Sequence, residues 1–97
     1  MSQDPREGLV IVGKKPLMNY VIACLSLFHS DAETVKIIAR GQAISKAIDT
    51  VTLLKKAFIK NLGIQDICIG TQEFSLQNKK TRVSTIDIII IPKSKNS

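Results

Sequence analysis

The chain has 97 residues, 44% of them hydrophobic, enough for one hydrophobic core but too few for the long parallel sheet of a nucleotide hydrolase. Fourteen Lys and Arg against eight Asp and Glu give a formal charge of +6, the electrostatic footprint of a protein that binds polyanions. Two cysteines without C-x-x-C spacing and a single histidine argue against a zinc site, and no metal or cofactor is expected.

The opening residues MSQDPREG are polar and do not read as a leader. Leu9 to Val12 is a short run of branched apolar residues, which predicts a strand buried on both faces. Pro16 suits the first position of a helix, because its missing N–H would be unpaired there anyway. Apolar residues at 17, 21, 24, 25 and 28 then form one helical stripe, which His29, Ser30 and Asp31 end. This longest apolar stretch falls short of the ~20 residues a bilayer requires, so no membrane partner is expected.

Glu33 to Arg40 alternates, with Val35, Ile37 and Ala39 on one face of a strand that Gly41 breaks. From Ala43 to about Leu62 the apolar residues recur at helical spacing, and Gly63 is expected as a left-handed terminator. Ile64 to Phe74 and Arg82 to Ile91 read as two further strands joined by the polar loop SLQNKK. The outer half of this hairpin is polar on both faces and should project beyond the core. Cys24 and Cys68 sit in apolar runs and are expected as buried free thiols in a reducing compartment.

The order predicts an α+β fold: a β-α-β-α-β-β two-layer sandwich with a four-stranded mixed sheet, both helices on one face and an extended final hairpin. Residues 1–97 form one domain, with residues 1–7 and 93–97 expected as flexible ends. Small domains bury little surface alone, so a homodimer is expected.

Residues 8–16, GLVIVGKKP, carry the G-x-x-x-x-G-K skeleton of a P-loop. Lys15 stands where the magnesium-binding hydroxyl belongs, and Leu-Val-Ile-Val favours a strand over a tight cradle of N–H groups. The reading is therefore not an enzyme. The stretch instead delivers Lys14 and Lys15 to the start of a helix, where N–H groups and the macrodipole favour an anion. Arg40 and Gln42 leave the second strand at a corresponding turn.

GKKPLMNYV, ARGQAISKAID and RVSTIDI, in that order, resemble the Alba family of archaeal chromatin and RNA-binding proteins. The resemblance implies the same fold, a homodimer or a heterodimer with a paralogue, and double-stranded DNA and RNA as partners. It implies that Lys14, Lys15 and Arg40 contact the nucleic-acid backbone, with Gln42 and Lys46 beside them. It places Lys79, Lys80 and Arg82 on or near hairpin arms that follow the minor groove. It further implies acetylation at Lys14, a contact between neighbouring dimers at Phe58, and a cytoplasmic, chromosome-associated protein that compacts DNA. A role as an RNA-binding subunit in RNA stabilisation, processing or translation is the alternative. Gln42 and Ile38 stand where the family usually has basic residues, which implies weaker or less salt-sensitive binding.

Overall fold

The structure, a computed structural model, describes residues 6–93. Four strands and two helices follow in the order β1 (Glu7–Ile11), α1 (Leu17–His29), β2 (Thr34–Arg40), α2 (Ala43–Leu53), β3 (Leu62–Leu76) and β4 (Lys79–Pro92). The sheet order is β1-β2-β4-β3, with β1 parallel to β2 and the other pairs antiparallel. This is the expected α+β arrangement. Because β1 and β2 are parallel, the turns that leave them for α1 and α2 lie at one end of the sheet.

The core lies between the sheet and the helices. Val10, Val35, Ile37, Ala39, Ile86, Ile88 and Ile90 alternate along β1, β2 and β4 and meet Val21 and Cys24 of α1 and Ala47 and Val51 of α2. Leu9 and Ile11 point to the other face and are 41% and 66% exposed, so β1 is covered on one face and not on both as expected. The cause is that both helices occupy the same side. That open face carries Lys36 and Asp87 as a half-buried ion pair at 3.9 Å.

α1 begins one residue later than expected. Pro16 has ψ 152° and is the last extended residue before the helix. The helix closes with Asp31 N–H donating to the Phe28 carbonyl and Ala32 N–H to that of Leu27, a paired termination that requires the residue between helix and loop to be left-handed. Asp31 holds that conformation at φ 76°.

α2 runs into a single wide turn of π-helix, Leu54–Phe58, and the chain is extended by Ile59. The helix therefore stops short of Leu62. Gly63 is not its terminator but a residue of β3, opposite Ile91. Lys55 bends back so that Nζ donates to the Leu62 carbonyl at 2.9 Å and ties the helix end to the start of β3.

β3 and β4 are longer than the alternation suggested, and their turn is shorter. Gln77 and Asn78 alone connect them, both left-handed with φ of 49° and 67°, the turn whose twist matches that of the flanking strands. A bulge at Gln65 separates the Ile64–Ile90 and Asp66–Ile89 pairs. The hairpin extends well beyond the helices and gives the molecule its 55 × 30 × 20 Å outline. Residues 1–5 and 94–97 of the expected flexible ends lie outside the described residues. Glu7 is paired with Thr34 in the sheet, and Lys93 N–H donates to the Asn61 carbonyl at 2.8 Å.

The two thiols differ. Cys24 is fully buried, and desolvation pushes its pKa from 9.0 up to about 12. Cys68 is exposed, against expectation, because it stands opposite Asp87 on the sheet face that points away from both helices. A charged maleimide at pH 7 is expected to label one thiol per folded chain, at Cys68, and two in denaturant. Since burial disfavours the Cys24 thiolate, its contribution to stability is full below pH 9 and is lost as pH rises through the 9.0 to 12 window. Two labelled thiols in the folded state would contradict this assignment.

Candidate nucleic-acid interface

The β1–α1 loop, Val12 to Pro16, is shaped by one atom. The Tyr20 hydroxyl accepts the Gly13 N–H at 2.8 Å and the Lys15 N–H at 3.0 Å. Tyr20 reaches this point from the first turn of α1, where its ring is buried and its oxygen faces the loop. These N–H groups are those a P-loop would turn toward a phosphate, and here a side chain within the protein takes them. The groups this loop leaves open to an anion are consequently the Lys14 and Lys15 side chains and not these N–H groups. Both are exposed, and neither ammonium has a partner among the described residues.

Tyr20 is the residue that sequence reasoning missed, because an aromatic ring in a helix that is apolar nearly all round reads as ordinary core. Nothing in the sequence signals that its hydroxyl serves the backbone five and seven residues earlier. Lys46, one turn into α2, completes the arrangement: Nζ donates to the Lys15 carbonyl at 2.6 Å and lies 6.0 Å from the centre of the Tyr20 ring.

The β2–α2 turn is held from the opposite side. Gly41 is left-handed at φ 60°, and its N–H donates to the Ser84 carbonyl at 2.8 Å. A side chain at Gly41 would be strained whatever the space around it. This turn leaves Arg40 at the base of the hairpin, where its guanidinium donates to Gln72 Oε1 at 3.1 Å and lies 5.9 Å from the centre of the Phe74 ring. Phe74 therefore underlies an arginine. Gln42 follows at the cap of α2, exposed, with its carbonyl accepting from the Ser45 hydroxyl.

Lys14, Arg40, Gln42 and Lys46 line one open groove of about 710 Å³, together with Ile11, Val12, Gly13 and Ala43. Three cations and no carboxylate border it. Lys15 points elsewhere, to a neighbouring groove of about 490 Å³ between β1 and α1. The two adjacent lysines thus share a loop but not a groove. Ile38, half-buried on the open face of the sheet, borders a third groove with Arg40, Gln72 and Asp87.

The remaining predicted residues lie on the arm. Lys79 and Lys80 follow the turn, exposed and without ion-pair partners among the described residues. Arg82 sits opposite Glu73 and is bound to it, Nε to Oε2 at 3.2 Å, with both side chains exposed. Part of its charge is offset locally, although an exposed pair of this kind is worth little and opens readily. Phe58 is 47% exposed at the end of the π turn, so it is not core.

The sequence profile of the Alba family matches residues 9–71. The chain belongs to the Alba family. DNA/RNA-binding protein Alba 1 of Archaeoglobus fulgidus is 42% identical over 87 residues, covering 90% of this chain and 98% of that protein. DNA/RNA-binding protein Alba of Methanothrix thermoacetophila is 39% identical over 90 residues, covering 93% and 98%. Among solved structures, Alba from Thermoplasma volcanium superposes with a TM-score of 0.80 at 34% identity, over 87% of this chain and 99% of that one. ALBA1 from Trypanosoma brucei shares the fold, with a TM-score of 0.73 at 24% identity over 95% of this chain and 74% of that one. The Alba match takes in the lysine loop, Tyr20, Arg40 and Lys46, and it ends at Thr71, short of the outer hairpin.

Proposed function

We propose that this protein binds DNA and RNA through the phosphate backbone with little sequence preference, as a single domain acting in a dimer that coats or compacts chromosomal DNA in the cytoplasm. The observation that carries this reading is the groove bordered by Lys14, Arg40 and Lys46, free of carboxylates, at the base of an arm bearing Lys79 and Lys80. Cations at the groove and again along the projecting arm suit a long polyanion better than a small phosphate. The names of the Archaeoglobus and Methanothrix relatives, DNA/RNA-binding proteins, support it.

In this reading Lys14, Lys15, Arg40 and Gln42 hold backbone phosphates over the body of the dimer. Lys79, Lys80 and Arg82 follow the minor groove. Acetylation of Lys14, whose ammonium is exposed, removes a charge and weakens the complex. The exposed Phe58 ring meets the next dimer along the DNA. The two subunits, identical or paralogous, join through the apolar residues that β3 leaves uncovered: Ile64, Ile67 and Ile69 are 52%, 47% and 75% exposed.

Titration of several unrelated duplex DNAs and one duplex RNA of equal length, each at four salt concentrations, tests the proposal. Affinities among the DNAs are expected to agree within about threefold, and log K to fall linearly with log salt. A site bound about a thousandfold tighter than the rest, as specific readers achieve, would remove the sequence-independent reading. Preference for the RNA duplex would transfer the role to an RNA-binding subunit.

A further inference from the structure

We propose that Tyr20 and Lys46 form a latch that positions the lysine loop, with Lys46 acting through the Lys15 backbone rather than on phosphate. The inference deepens the nucleic-acid-binding reading and rests on it. The family resemblance implies a phosphate contact for Lys46, and the geometry assigns this lysine different work.

Both backbone polar groups of Lys15 are held: its N–H by Tyr20 Oη at 3.0 Å and its carbonyl by Lys46 Nζ at 2.6 Å. The Gly13 N–H converges on the same hydroxyl at 2.8 Å. Convergence of the N–H groups on either side of one residue toward a single point is the geometry by which a short loop binds an anion. A neutral hydroxyl fills that point here, and Lys14 is left at the apex of the curl.

Lys46 is half-buried and has two partners, a carbonyl oxygen and the face of the Tyr20 ring 6.0 Å from its centre. It would have to surrender both to reach a phosphate. The ammonium groups of Lys14 and Lys15 need surrender only water. A loop held before binding loses less conformational freedom in the complex, so the latch raises affinity without adding to the charge that meets the duplex. Its signature is a loss of affinity on mutation with no change in salt dependence.

Tyr20→Phe removes the oxygen and keeps the buried ring, while Lys46→Met removes the donor and keeps the length of the side chain. Amide hydrogen exchange of the free protein and salt titration of a mixed-sequence DNA duplex are measured on the wild type, both single variants and the double variant, with melting curves to verify folding. In Tyr20→Phe, exchange at Gly13 and Lys15 is expected to quicken at least about tenfold. Each single variant is expected to bind about 3- to 10-fold more weakly at unchanged salt slope, and the double variant no more weakly than the worse single one, because both act through one loop. The proposal is overturned by unchanged exchange at those amides, by additive losses, or by a slope reduced by ~0.9 in Lys46→Met, which would make Lys46 a phosphate contact. If the wild type bound no duplex, the nucleic-acid reading would fall, and the exchange rates would still decide the latch.

Discussion

Lys14→Ala combined with Lys15→Ala is expected to weaken duplex binding by about 30-fold at 0.15 M salt for each loop that engages the duplex, since each lost phosphate contact forgoes the release of ~0.9 counterion. The slope of log K against log salt should become shallower by up to ~1.8 per loop, and by similar amounts for unrelated sequences. The expectation follows from where the charges stand. Both ammonium groups are exposed and unpartnered among the described residues, and the loop's own N–H groups, held by Tyr20, cannot substitute for them. Filter-binding or anisotropy titrations of the double variant at four salt concentrations measure both quantities. An unchanged slope would show that the loop does not touch phosphate, and the proposed interface would have to move elsewhere on the surface.

A second large effect is expected from Ile67→Asp combined with Ile69→Asp. These residues share the sheet face that the helices cover, and their partners on β4 reveal the contrast. Ile88 and Ile86 are 3% and 6% exposed beneath the helices, whereas Ile67 and Ile69, opposite them, are 47% and 75% exposed. Covering what remains exposed of two such side chains is worth on the order of 2–4 kcal/mol per subunit, and a carboxylate in their place would also have to be desolvated. Sedimentation or gel filtration should therefore move from dimer to monomer, with the dimer dissociation constant raised at least about a thousandfold. Binding should weaken with it, because a monomer presents half of the phosphate contacts. Persistence of the dimer would place its interface on another surface, such as the open face around Leu9 and Ile11.

The points at which reading the sequence stopped short share one origin. The run from Leu9 to Val12 is apolar at every position, so its pattern could not report that both helices pack on one side and leave Leu9 and Ile11 uncovered. The apolar periodicity of α2 continues past its true end because Leu62 is buried at the base of β3, where it serves the sheet rather than the helix. Gln77 and Asn78 lack the glycine that marks a tight hairpin turn, and the polar run around them reads as a longer loop. Tyr20 shows the same limit within the candidate site: a ring in a helix apolar nearly all round gives no sign that its oxygen shapes a loop five to seven residues earlier.

By itself the sequence determined the order and kind of the elements, because helical and alternating periods are local properties of the chain. It also determined which turns carry Lys14, Lys15, Arg40 and Gln42, and its three separated motifs were enough to indicate the family. Only the tertiary structure decided which partners those residues have. Lys46 bonds to a backbone 31 residues away, Arg40 to a strand 32 residues away, and Cys68 lies open, because contact between distant segments depends on strand order and helix placement, which no local period encodes.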